Sequence, residues 1–275
     1  MAGWIWLLST LFSDPAAAQN KPTPLVIGDT LTIDSRILGE RRQINVYLPP
    51  GYKEASGPPL PVLYMPDGGL AEDFLHIAGL VEVLVGDESM RPFLLVGIEN
   101  TERRRDLTGP TVNVSDRKIA PHVGGSAAFR NFIRRELMPQ IKARYRTTAE
   151  TAIVGESLAG LFVVETLVLE PDLFDSYIAV DPSLWWNDKK LLSLVEEKLQ
   201  SGTPLRKKLY FAGSSDDEIS AQLAALLDKY PAAGLDWHFD KMPDERHSTI
   251  YHPAALKAFR RLFKLPGNRA DNSNQ

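Results

Sequence analysis

Apolar residues recur along this chain with periods that change in a regular order. Thr30 to Leu38 and Gln43 to Leu48 alternate polar and apolar around Gly39-Glu40, the pattern of an antiparallel hairpin. Pro61 to Asp67 and Pro92 to Asn100 are continuous apolar runs, as expected of strands buried on both faces, and a helical stretch from Phe74 to Val85 lies between them. Phe129, Phe132, Ile133, Leu137, Ile141 and Tyr145 recur at helical spacing, which predicts an amphipathic helix over Ala127 to Tyr145, kinked at Pro139. The alternation continues with strand Thr151 to Val154, helix Leu158 to Leu169, strand Ser176 to Val180 and helix Lys189 to Leu199. Strand Lys208 to Ala212, helix Ile219 to Lys229, strand Leu235 to Phe239 and helix Pro253 to Phe263 complete it. Strands alternating with helices imply parallel crossovers and an α/β sheet.

The ends read differently. "WIWLLSTLF" is a short apolar run followed by Pro-Ala-Ala-Ala-Gln, whose Ala16 and Ala18 match the small-x-small rule for signal cleavage. Residues 1–18 are therefore expected to be a signal peptide, too short to span a bilayer, and the mature protein periplasmic or secreted. No Lys or Arg precedes the run, which weakens this signal. Residues 19–28 read as a linker, 29–264 as one domain, and 265–275 as a polar, disordered tail. The formal charge is −4 and no run of basic residues exceeds three, Arg103-Arg104-Arg105 standing out, which argues against nucleic acid as a partner. With no cysteine in the chain, disulfides, thiolate metal sites and a cysteine nucleophile are excluded.

Candidate chemistry gathers where strands end, the place where α/β sheets build their sites. "AIVGESLAGLFVV" runs from a strand directly into a helix that is apolar on almost every face. Gly155 and Gly160 leave room for a sharp corner, with Ser157 at its tip. A serine near a helix start is also a common cap, so G-x-S-x-[GA], met here as Gly155-Glu156-Ser157-Leu158-Ala159, alone decides little. Asp67-Gly68-Gly69 follows an earlier strand, "GSSDDE" a later one, and "KMPDERHS" the last. A serine hydroxyl needs a base, and a histidine near pKa ~6.5 suits that role. His247, in a polar loop before the final helix, is the candidate, whereas His76, His122, His238 and His252 read as structural or surface residues. Asp216, Asp217 and Glu218 compete as the acid that orients it, with capping of the next helix as their alternative role, and Asp181 is a further candidate. The backbone N–H groups of Leu158 and Gly69 are placed to form an oxyanion hole. The chain order serine, acid, histidine is the one used by α/β-hydrolases.

"VLYMPDGG", "ENTERRRDLTGP", "VGESLAGLF", "LFDSYIAVDPSLWW" and "ERHSTIYHPAALKAFRRLF" together resemble the esterase D-like group of the α/β-hydrolase superfamily. That group includes siderophore esterases, S-formylglutathione hydrolases, feruloyl esterases and mycolyltransferases. The similarity extends from Thr30 to Phe263. It implies an α/β-hydrolase fold: a mostly parallel central sheet with an N-terminal antiparallel hairpin and helices on both faces. It also implies a serine esterase acting on a small-molecule ester through an acyl-enzyme, without metal or organic cofactor. The family pattern falls on Ser157, His247 and Asp216, with Leu158 and Gly69 as oxyanion donors. Trp185 and Trp186 would form an aromatic wall, and Arg103 and Arg105 would lie near the substrate. One departure is Glu156, where relatives usually carry histidine. Acyl transfer to an alcohol, or a binding protein that has lost the chemistry, are the alternatives compatible with the same scaffold.

Overall fold

The computed structural model describes residues 22–53 and 57–265. The expected signal peptide, and the tail beyond residue 265, lie outside the described residues. Strands β1 (Gly28–Ser35) and β2 (Glu40–Tyr47) form the expected hairpin, in register from Gly28 opposite Tyr47 to Ser35 opposite Glu40. Strands β3 (Leu60–Pro66), β4 (Leu94–Ile98), β5 (Thr147–Glu156), β6 (Ser176–Val180), β7 (Lys208–Gly213) and β8 (Asp236–Lys241) follow. All join one eight-stranded sheet in the order β1-β2-β4-β3-β5-β6-β7-β8. The pairs β1/β2 and β2/β4 are antiparallel and every later pair is parallel. This is the architecture the alternating pattern implies.

Helices cover both faces. On one side lie α4 (Ser126–Phe132), α5 (Met138–Arg144), α6 (Leu158–Leu169), α7 (Trp186–Gln200) and α8 (Ile219–Lys229), packed on Ile153, Tyr177, Leu209 and Phe211. On the other, α1 (Phe74–Gly86) and α9 (Tyr251–Leu262) pack on Leu63, Val154, Ile178 and Tyr210. The strands β3, β4 and β6 are buried at every position, which is why they carry no polar alternation. Two short helices, α2 (Arg103–Leu107) and α3 (Val114–Ile119), lie in a stretch without apolar periodicity and were not expected.

Pro139 acts differently from the expected kink. The helix passes through a π turn at Ile133–Leu137, where the Met138 N–H bonds to the Ile133 carbonyl five residues back, and then resumes as α5. Proline has no N–H to give the carbonyl four residues behind it, and widening the turn absorbs that missing bond.

Candidate active site

The corner between β5 and α6 is set by close packing. A Cβ on Gly155 would lie 2.7 Å from Ala159, and one on Gly160 would lie 3.0 Å from Pro182 and the Val180 carbonyl. Only glycine allows strand and helix to approach this far. Ser157 at the tip has φ +60°, an uncommon conformation for a residue with a side chain. Its N–H donates to the Val180 carbonyl and its own carbonyl accepts from Leu161 and Ser183, so the strained residue is tied to β6 and α6 together.

Three side chains distant in sequence meet at this corner. His247 Nε2 lies 3.1 Å from Ser157 Oγ, and its Nδ1 lies 2.5 Å from Asp181 Oδ2. Asp181 is 5% exposed at the end of β6, with φ +44°. Its carboxylate also accepts from the Ser214 N–H at 2.7 Å and the Ser214 hydroxyl at 3.0 Å. These bonds fix the carboxylate while the imidazole stays half exposed.

The expectation that Asp216 orients the histidine is corrected. Asp216 is exposed, and its carboxylate accepts only a long 3.4 Å bond from the neighbouring Ser215 hydroxyl. Asp217 does what a capping residue does, accepting from the Ile219 and Ser220 N–H groups at 2.9 Å each. The physical reason lies in sheet order. β6 is the direct neighbour of β5, so the residue ending it sits beside Ser157, whereas the β7 loop turns into α8.

The oxyanion donors differ from each other. The Leu158 N–H belongs to the first turn of α6, which leaves such donors without an intrahelical acceptor. The Gly69 N–H is already engaged, donating to Glu72 Oε2 at 2.7 Å, while Glu72 Oε1 accepts from Asn100.

The expected substrate contacts also divide. Arg103 reaches the cleft, but both Nε and Nη2 bond to Asp67 at 2.7 and 2.8 Å. Arg105 does not line it, being held by Glu40 and Asp106 in a cluster around the fully buried Arg42. Trp186 is buried with its indole N–H on the Gly109 carbonyl, a packing role rather than a wall of the site. Trp185 is 45% exposed two residues beyond Ser183, outside the residues that line the cleft.

The cleft measures about 470 Å³ and is lined by Ser157 and His247 together with residues the sequence did not single out, chiefly Asp73, Tyr251 and Thr249. His76 and His252, read as structural, also line it, their rings stacked and joined at 2.9 Å. Asp73 and His76 open α1 while Tyr251 and His252 open α9, and the packing of those two helices brings them together.

Glu156, beside the nucleophile candidate, has its pKa pushed up to about 7 by burial, opposed by His247 and Arg103 and reinforced by Asp73 and Asp67. The folded state therefore holds a proton that the unfolded chain releases near pH ~4.5, so stability falls as pH rises between these values. Glu156→Gln is expected to raise stability by about 1 kcal/mol at pH 8, or ~3 °C in Tm, allowing for partial exposure. At pH 4.5 it should change little. Thermal unfolding at both pH values checks this, and an equal shift at the two would contradict it.

Comparison with known proteins agrees with this architecture. The family model described as "Esterase: Putative esterase" matches residues 35–232, a span that holds Ser157 and Asp181 and stops before His247. The chain is similar to the crystal structure of an IroE-like serine hydrolase from Shewanella oneidensis, with a TM-score of 0.79 and 30% identity, covering 86% of this chain and 80% of that one. It is 31% identical over 176 residues to the ferri-bacillibactin esterase BesA of Bacillus subtilis, covering 56% of this chain and 58% of that protein. It is 32% identical over 203 residues to the siderophore triacetylfusarinine C esterase of Aspergillus fumigatus, covering 66% and 65%. The matches thus span less than two thirds of the length of either curated relative. By the matched span, the sheet order and the corner at Ser157, the chain belongs to this esterase family of the α/β-hydrolase superfamily.

Proposed function

We propose that the protein is a serine hydrolase of carboxylic esters, with Ser157 as nucleophile, His247 as base and Asp181 as the acid that orients it. The observation carrying this reading is the unbroken hydrogen-bonded chain from Ser157 Oγ through the imidazole to Asp181. Ser157 Oγ attacks the ester carbonyl as His247 Nε2 takes its proton. The imidazolium, stabilised by Asp181, returns that proton to the departing alcohol as the acyl-enzyme forms. Water then attacks the acyl-enzyme, giving a proton to His247, which passes it back to Ser157 as the acid leaves. The Leu158 N–H faces the developing oxyanion, and the Gly69 N–H joins it when the oxyanion displaces the Glu72 carboxylate.

The relatives' names support siderophore esters as the substrate class. The test is turnover of p-nitrophenyl butyrate by the purified protein, followed by mass-spectrometric detection of products from a panel of ferric-siderophore esters. Hydrolysis of the aryl ester and of at least one siderophore ester is expected. Folded protein that cleaves no ester in the panel would refute the proposal.

A further inference from the structure

The segment that supplies the acid also brings a second polar side chain to the nucleophile. Asp181-Pro182-Ser183 leaves the end of β6 and is tied at both ends. The Asp181 N–H donates to the Ala212 carbonyl at 2.8 Å, and the Ser183 N–H donates to the Ser157 carbonyl at 3.0 Å. Between them Pro182 packs on α6, with its Cα 3.0 Å from where a Cβ on Gly160 would lie. Asp181 and Ser183 are therefore held by one fixed stretch of backbone. The Ser183 hydroxyl lies 3.4 Å from Ser157 Oγ and, among the described residues, its side chain bonds to no other group. Ser183 is 5% exposed and is absent from the residues that line the cleft. It thus approaches Ser157 from the protein side, away from the space open to substrate.

The direction of this contact follows from the protons available. Ser157 has a single hydroxyl proton, and in the reactive arrangement that proton points at His247 Nε2, 3.1 Å away. Ser157 Oγ can then only accept from Ser183, whose own proton has no competing acceptor. At 3.4 Å the bond is longer than the ~2.7–2.8 Å of an ordinary hydroxyl pair, so it contributes little at rest. It tightens as Ser157 Oγ gains negative charge. A bond that is stronger in the transition state than in the ground state speeds the reaction.

We propose that Ser183 is a further catalytic residue of this site, donating a hydrogen bond to Ser157 Oγ in both half-reactions. This rests on the hydrolase reading above. In acylation the Ser157 proton passes to His247 Nε2 as Oγ bonds to the carbonyl carbon, and Ser183 stabilises the charge on that oxygen while the bond forms. In deacylation water bonds to the same carbon and gives a proton to His247. The bond from that carbon to Oγ then breaks, and Oγ leaves with the electron pair and takes the proton from His247. Ser183 donates to the leaving oxygen and keeps its own proton throughout. Because Ser183 lies outside the cleft lining, its hydroxyl acts on rate and not on binding of the substrate.

The experiment compares the wild type with Ser183→Ala, Ser183→Thr and Ser183→Val on p-nitrophenyl butyrate, using stopped-flow and steady-state kinetics. In Ser183→Ala, kcat and kcat/KM are expected to fall together by about five- to tenfold, as for the loss of one neutral hydrogen bond, with KM unchanged within about twofold. The pH midpoint of kcat/KM should stay at its wild-type value, because His247 keeps its bond to Asp181. A hydroxyl that only held the loop in place would instead raise KM or displace that midpoint. Threonine and valine share a shape and differ by the hydroxyl, so Ser183→Thr should turn over about fivefold faster than Ser183→Val. That pair tests the role even if Ser183→Ala does not fold. The assignment is overturned by Ser183→Ala activity within about twofold of the wild type, by a raised KM with kcat intact, or by a shifted midpoint. Equal rates for Ser183→Thr and Ser183→Val overturn it as well. If the folded wild type cleaves no ester, the hydrolase reading itself fails, and the role of Ser183 fails with it.

Discussion

Ser157→Ala is expected to lower kcat/KM for p-nitrophenyl butyrate by about 10⁴-fold or more while leaving the protein folded. In the proposed mechanism the hydroxyl is the atom that forms the acyl-enzyme, and among the described residues no other side chain bonds to His247 Nε2. Ser183 lies close, with its hydroxyl 3.4 Å from that of Ser157, but no bond from His247 to Ser183 exists. The substitution removes little structural support. The strained backbone at position 157 is held by main-chain bonds to Val180, Leu161 and Ser183, which alanine keeps. Tm should therefore move by no more than about 2 °C, as for a surface change without a broken network. Initial rates and thermal unfolding measured on the same preparation check both halves. Turnover within about tenfold of the wild type would reject Ser157 as the nucleophile.

The second large effect separates two aspartates. Asp181→Asn should lower kcat by roughly 10⁴-fold, and Asp216→Asn by less than about threefold. An asparagine at 181 can keep its oxygen on the Ser214 N–H, but its amide then presents N–H groups to His247 Nδ1. The imidazole answers by carrying its proton on Nε2, where it faces Ser157 as a donor and cannot accept the hydroxyl proton. Asp216 has no bond to the imidazole and is exposed, so its charge is screened by water. Steady-state kinetics of the two variants at one pH decide the matter. A crippled Asp216→Asn beside a nearly intact Asp181→Asn would reverse the assignment.

The parts of this protein legible in the sequence were those encoded locally. Apolar periodicity is a property of one segment at a time, so the hairpin, the buried strands and helices such as Leu158–Leu169 and Ile219–Lys229 could be read directly. Ser157 was legible because the glycines that permit its corner flank it within a few residues. His247 stood out by its place in a loop between the last strand and the last helix.

Other features depend on which segments become neighbours in space. Three acidic residues crowd the end of β7 and a single aspartate ends β6, and local pattern favours the crowd. Only the adjacency of β6 and β5 brings the single one to the imidazole. Trp186 looked like a site residue because it follows a strand, yet its indole N–H satisfies a carbonyl in the segment after α2. Asp73, Tyr251 and His252 sit at the starts of helices nearly the whole domain apart and meet through helix packing that no local pattern encodes. The π turn before Pro139 shows the same limit at short range, since a missing donor can bend a helix or widen it.

The most direct test of the account is active-site labelling. The folded protein is treated with a fluorophosphonate, digested, and the adduct located by mass spectrometry in the wild type, Ser157→Ala and His247→Ala. The account predicts one modified peptide, carrying the label on Ser157, lost in the first variant and formed at least about a hundredfold more slowly in the second. An unlabelled wild type, or a label on any other serine, would contradict it.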